Sequence, residues 1–144
     1  MNSLDLALKS LPHGPEFRFI DRLIDLVPGK SAVGEYTVRG DEPFLKGHFP
    51  GAPLFPGVLL VEAATQLAGV IAQTDPSVPP LANLKLTALR GVKIFDSARP
   101  GETIRFGAEI TGRLGNLVSA RATARHGATL LMEAEVTLSG DPHP

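Results

Sequence analysis

"GVLLVEAATQLAGVIAQT", residues 57–74, decides the fold. The stretch contains no proline and is rich in leucine and alanine. Its apolar residues lie around most of a helical circumference, so it reads as a buried helix rather than an amphipathic surface one. Pro56, just ahead, suits a first helical turn, and "DPSVPP" at 75–80 ends the element. One carboxylate, Glu62, interrupts the run. Glu62 and Gln66 are four apart and share a face with Val58, Leu59, Ala63 and Gly69, with Thr65 nearby. An ionised carboxylate in such company is costly, so either its pKa rises or it finds a partner. A raised pKa would make Glu62 a proton donor near neutral pH, with Gln66 to orient it. A structural Glu–Gln pair at a subunit contact is the other reading.

Upstream, four glycines and four prolines fall within residues 40–57, so this segment is expected to be loop. It carries His48, in "GHFPG". The first N–H groups of the helix that follows have no intrahelical acceptor and favour negative charge. Gly57 has no side chain, so a ligand oxygen could approach its backbone. A base, an oxyanion donor and an acid thus fall within fifteen residues, His48 to Glu62. Removing a proton beside a carbonyl and expelling a β-hydroxyl needs these three groups.

The flanks read mostly as strand. Residues 1–11 have helical spacing, with Asn2 or Ser3 as cap and Pro12 as stop. "FRFIDRLIDLV" (17–27) and "SAVGEYTV" (31–38) read as strands joined by a turn at "PGK" (28–30). Apolar and polar residues alternate over 103–111, 118–125 and 132–138, which predicts an antiparallel meander with one buried face. "LGN" (114–116) and "HG" (126–127) supply its turns. Arg121 and Arg125 against Glu133 and Glu135 are expected cross-strand pairs. The predicted architecture is α+β, a single domain over 1–144, with an antiparallel sheet wrapped around one long apolar helix. A helix apolar nearly all round needs cover on more than one side, so a second subunit is expected.

Composition sets the outer limits. The chain has 144 residues, 43% hydrophobic and 20% charged, with net charge −1, so nucleic-acid binding has no electrostatic driver. It has no cysteine, which excludes disulfides, thiolate metal sites and a cysteine nucleophile. The start of the chain lacks a signal-peptide pattern and Val58–Ala72 is too short to span a bilayer, so a cytoplasmic protein without membrane insertion is expected. No His/Asp/Glu spacing suggests a metal site. His126 and His143 read as solvated surface, and Ser119 and Ser139 have no base nearby.

"LPH" (11–13), "F-x-x-x-D-R" (17–22), "GHFPGAPLFPGVLLVEAATQLAG" (47–69) and "ARPGE" (98–102) resemble the β-hydroxyacyl-acyl-carrier-protein dehydratases of the FabZ type. Glu62, where the sister FabA type has Asp, favours FabZ. The resemblance covers about residues 11–138 in consistent order. It implies a hot-dog fold and a dimer, often a trimer of dimers, with active sites at the interface and neither cofactor nor metal. It implies that His48 is the catalytic base and that Glu62 is the catalytic acid, supplied across the interface. The Gly57 N–H would polarise the thioester carbonyl, and Gln66 fills the family's glutamine position. Phe49, Pro50, Phe55, Pro56 and Val58 become candidates for the acyl tunnel, and Lys93 and Arg99 for docking of acyl carrier protein. The substrates implied are 3-hydroxyacyl thioesters on the phosphopantetheine arm of that carrier. This chain departs from the family after "LPH", where Gly14-Pro15-Glu16 replaces Arg-aromatic-Pro and the role of His13 is left open. Two rival readings are a hot-dog acyl thioesterase, which would release free thiol, and a non-catalytic carrier-binding or scaffold subunit.

Overall fold

The computed structural model describes residues 3–47 and 51–142. Three helices, α1 (Ser3–Leu8), α2 (Pro43–Gly47) and α3 (Gly57–Gln73), accompany six strands. These are β1 (Arg22–Val27), β2 (Ser31–Thr37), β3 (Leu81–Ile94), β4 (Thr103–Leu114), β5 (Leu117–His126) and β6 (Thr129–Pro142). They form one antiparallel sheet in the order β1-β2-β4-β5-β6-β3, which curves around α3 as the hot-dog fold.

The helix packs against β2, β4, β5 and β6 and less closely against β3. Its residues from Leu60 to Ala72 are all buried except Glu62. Leu60, Val61, Leu67, Val70 and Ile71 are each removed from water, worth about 1.5–3 kcal/mol per side chain. The sheet meets the helix with the inward set of its alternation: Ile104, Phe106 and Ala108 on β4, Val118, Ala120, Ala122 and Ala124 on β5, and Met132, Ala134, Val136 and Leu138 on β6. Alanines on both layers keep the contact close, and Phe19, Tyr36, Phe44 and Phe55 fill one end of the core edge-to-face. Gly115 and Gly127 close the two hairpins of the meander with φ of 60° and 57°, where a side chain would be strained.

Several sequence expectations need correction. The segment 40–57 is not all loop, because α2 occupies Pro43–Gly47. Its proline sits at the first helical position and its glycine at the last, where both are tolerated. Strand character in 17–27 begins only at Arg22, since Pro15–Phe17 is a 3₁₀ turn. The first helix stops at Leu8, ahead of Pro12. The 14-residue β3 lies in a stretch for which no element was expected. Apolar residues do alternate along it, at Ala82, Leu84, Leu86, Ala88, Val92 and Ile94, with only Leu81, Leu89 and Arg90 out of step, so a strand signal was present and was missed; the pairing with β6 shifts register between Ala82 and Lys85, Leu86 and Ala88, and Arg90 and Lys93. Arg121 does lie opposite Glu135, but its ion pair is with Glu109, at 3.2 Å. Arg125 faces Leu130 and Arg105 rather than a glutamate.

Candidate active site

Glu62 projects from the second turn of α3 at the mouth of a cleft of about 180 Å³. The cleft runs along the helix face that carries Thr65, Gln66, Gly69 and Gln73. Its opposite wall is formed by Leu84, Lys85 and Leu86 of β3 and Leu138 of β6, and Ser10–His13 closes the near end. The Glu62 side chain is 24% exposed, so it sits at a boundary and not deep in the core.

The partner that such a carboxylate needs is present. Gln66 Nε2 donates to Glu62 Oε2 at 3.1 Å. The same amide donates to the Phe17 carbonyl at 2.8 Å, and its Oε1 accepts from Phe19 N–H at 3.0 Å. Gln66 is 2% exposed. Three bonds to two elements leave it one orientation, so the carboxylate is presented in a defined place. His13 Nε2 stands 3.6 Å from the same Oε2. Thr65 turns its hydroxyl back to the Val61 carbonyl at 2.8 Å, so it lines the cleft without contacting Glu62.

Gly57 is the first residue of α3, with Pro56 as N-cap. Its N–H has no intrahelical acceptor. Five residues separate it from Glu62, about 7.5 Å along the axis. The glycine is also demanded by packing, since a Cβ there would stand 2.9 Å from Ile94 Cδ1 and 3.1 Å from its Cγ2.

His48, Phe49 and Pro50 lie outside the described residues. The segments on either side of them are anchored by hydrogen bonds. On one side, Glu42 closes the turn before α2, accepting from Tyr36 Oη at 2.6 Å, Gly40 N–H at 2.7 Å and Arg39 N–H at 3.1 Å. Burial works against its charge, but these donors outweigh it and hold its carboxyl below the usual glutamate range. Burial and the same carboxylate push the Tyr36 hydroxyl upward. On the other side, Phe55 N–H bonds to the Ala98 carbonyl at 2.8 Å. The described chain before residue 48 is thus tied to β2 through Glu42, and that after residue 50 to the 95–102 segment through Phe55.

The remaining candidates are dispersed. Phe55 is wholly inside the aromatic cluster, and Pro56 is buried beneath the helix start. Val58 is 72% exposed on the far side of the first turn, near the exposed apolar end of β3 formed by Ile94, with Phe95 following. Lys93 lies 3.9 Å from Glu133. Arg99 is exposed in the loop before β4, where its N–H bonds to Glu102. Neither cation lines the cleft. Among the described residues, no group of three or more His, Asp or Glu side chains is arranged to hold a metal ion. Nor is any helix among them long and apolar enough to cross a membrane. Sequence reasoning missed the approach of His13 to Glu62, and "LPH" was the available signal for it.

A six-stranded antiparallel sheet around a helix that carries a tethered carboxylate defines a hot-dog protein, and the chain belongs to the FabA-like family, whose domain model matches residues 11–135. Within that family it is similar to the 3-hydroxyacyl-[acyl-carrier-protein] dehydratase FabZ of Chloroflexus aggregans, 35% identical over 137 residues and 94% of each chain. The protein of the same name from Clostridioides difficile is 37% identical over 139 residues, 94% of this chain and 95% of that one. Among solved structures, the dehydratase heterocomplex ApeI:P from Xenorhabdus doucetiae superposes with a TM-score of 0.79 at 15% identity, covering 99% of this chain and 93% of that one. Zebra fish thioesterase superfamily member 2 superposes at 0.71 and 13% identity, covering 96% and 99%. At these identities the superpositions speak for the fold alone.

Proposed function

We propose that the protein is a FabZ-type dehydratase. It removes water reversibly from a 3-hydroxyacyl thioester carried by acyl carrier protein and yields the trans-2-enoyl thioester. The observation that carries this reading is Glu62, held by Gln66 at a cleft walled in part by Leu84, Leu86 and Leu138, about one and a half turns from the helix start, where the Gly57 N–H has no intrahelical acceptor. Full-length similarity to relatives of that name supports the substrate class.

In the proposed reaction, the Gly57 N–H donates to the thioester carbonyl oxygen and stabilises the negative charge that develops there. His48 takes the proton from Cα. The Cα–Cβ double bond forms as the Cβ–O bond breaks. Glu62, protonated, gives its proton to the departing oxygen, which leaves as water. A proton returned from the histidine to the carboxylate resets the pair. No cofactor or metal takes part in this scheme.

The site is proposed to form between two subunits, with Glu62 supplied by the partner of the chain that contributes His48. β3 lies at the edge of the sheet, and Leu89, Val92, Ile94, Phe95 and Val58 are exposed together around it. Such an edge invites a second copy. Further assembly to a hexamer, docking of the carrier at Lys93 and Arg99, and a cytoplasmic location belong to the same reading; the absence of cysteine suits a reducing compartment.

The test presents 3-hydroxyacyl chains of several lengths on acyl carrier protein and on CoA. Dehydration is read as an enoyl absorbance change without release of thiol. His48→Ala and Glu62→Gln are each expected to lower turnover by about 10²–10⁴. Near-native rates in both variants would overturn the mechanism. Thiol release would instead indicate a thioesterase, and binding without turnover a non-catalytic subunit.

A further inference from the structure

Both described partners of Glu62 converge on one carboxylate oxygen, Oε2. We infer that His13 is a positioning residue for Glu62. With Gln66 it holds Oε2, so that Oε1 is the oxygen offered to the substrate hydroxyl. The inference rests on the dehydratase reading above.

Three observations carry it. First, the ring is oriented. His13 Nδ1 is buried and has no hydrogen-bond partner, whereas Nε2 faces Glu62 at 3.6 Å. A buried N–H without an acceptor is costly, so the ring hydrogen belongs on Nε2, the nitrogen toward the carboxylate. The separation exceeds a hydrogen bond, and a small side-chain rotation closes it, as active-site bonds commonly tighten when substrate binds. Second, the ring is held. It stacks on Phe17, with centroids 6.0 Å apart and planes 25° apart. Arg18 Nε donates to the His13 carbonyl at 2.9 Å, and Arg18 Nη2 to the Leu11 carbonyl at 3.2 Å.

Third, the supports form a closed circuit. Gln66 grips Phe17 O and Phe19 N, the two residues that flank Arg18. Arg18 in turn grips the backbone of Leu11 and His13, and His13 faces Glu62, which Gln66 also holds. Residues 11–19 are thus a brace laid across α3 at the height of the acid. Glycine follows His13 directly in this chain, and Arg18 supplies the guanidinium that braces "LPH" from five residues beyond it.

The experiment uses the full-length protein and compares His13→Phe, which keeps the stack on Phe17 and loses the donor, with His13→Gln, whose amide N–H can replace Nε2–H. On a 3-hydroxyacyl carrier-protein substrate, His13→Phe is expected to lose about 10- to 100-fold in kcat with KM within about two-fold, and His13→Gln to recover most of that loss. Wild-type kcat in His13→Phe, or equal loss in both variants, overturns the inference. If circular dichroism shows His13→Phe unfolded, His13→Asn takes its place, because its shorter amide cannot reach Glu62. Ring ¹⁵N NMR reads the pairing without turnover. The wild-type His13 ring is expected as the Nε2–H tautomer, and Glu62→Ala is expected to release it into a mixture. An Nδ1–H ring in the wild type overturns the pairing. A wild-type protein that shows the expected tautomer but no dehydration overturns the functional reading and leaves the pairing standing.

Discussion

Gln66 makes three hydrogen bonds with a single side chain, one to the acid Glu62 and two that tie it to the backbone of Phe17 and Phe19. Replacing it by leucine keeps most of the volume but strands the buried Phe19 N–H. An unsatisfied buried donor costs about 1–3 kcal/mol, so Gln66→Leu is expected to lower the urea midpoint with an unchanged m-value. It is also expected to lower kcat, because the carboxylate loses its anchor. Equal stability with reduced kcat would show that Phe19 finds another acceptor while the anchoring role stands. The Glu62–Gln66 contact was legible in the sequence, since residues four apart on a helix meet. The contacts of Gln66 with Phe17 and Phe19 were not, because they span 49 and 47 residues and follow from the way the N-terminal segment lies across α3. "LPH" marked His13, but its partner was not legible for the same reason: tertiary placement and not spacing names it.

At the scale of elements, the apolar run of α3 and the strict alternation of β4, β5 and β6 announced themselves, because each buries one regular set of side chains. β3 carries the same alternation at Ala82, Leu84, Leu86, Ala88, Val92 and Ile94, but it stands out less, because Leu81, Leu89 and Arg90 break it and its second half is exposed. The junction of these elements is tight at Gly57. Alanine there would press on Ile94, and overpacking of this kind costs about 1–3 kcal/mol. Gly57→Ala is therefore expected to lower thermal stability, and Ile94→Val, which removes the atom at 2.9 Å, to restore part of it in the double variant. Additive losses in that cycle would show that the clash is not the cause. The turn before α2 makes a different prediction. Glu42 is held below the ordinary glutamate value of 4.5 against the cost of burial by its Tyr36 and backbone donors, and Glu35 mainly by Arg22, against burial and with help from Arg105. A depressed folded-state pKa means that the unfolded chain binds the proton more readily. The stability from these groups is thus full above 4.5 and is lost as pH falls below it. Glu42→Gln is expected to flatten the acid limb of stability against pH, measured by urea unfolding at pH steps from 7 to 3. An unchanged limb would assign acid sensitivity elsewhere.

The sheet of the molecule has two edge strands, β1 and β3. α1 packs against β1, whereas the outer edge of β3 has no neighbouring strand among the described residues, and exposed apolar side chains there adjoin the helix start. The expectation of a second subunit arose from α3 being apolar nearly all round. In the structure that helix is almost wholly covered by its own sheet, and the need for a partner moves to β3 and the exposed Val58. A lysine at Val92 places a charge at the centre of this edge without touching Glu62, Gln66 or the cleft. If two copies pair there, wild type is a dimer by light scattering, its melting temperature rises with protein concentration, and Val92→Lys shifts the mass to that of one chain. Turnover should fall together with dimerisation, because Glu62 and His48 of the working site then come from different chains. Mixing Glu62→Gln with His48→Ala subunits separates the two effects. About a quarter of the sites in a random dimer mixture carry both intact groups and regain activity, whereas a site confined to one chain regains none. A monomeric Val92→Lys protein with full turnover would place the whole reaction within a single subunit.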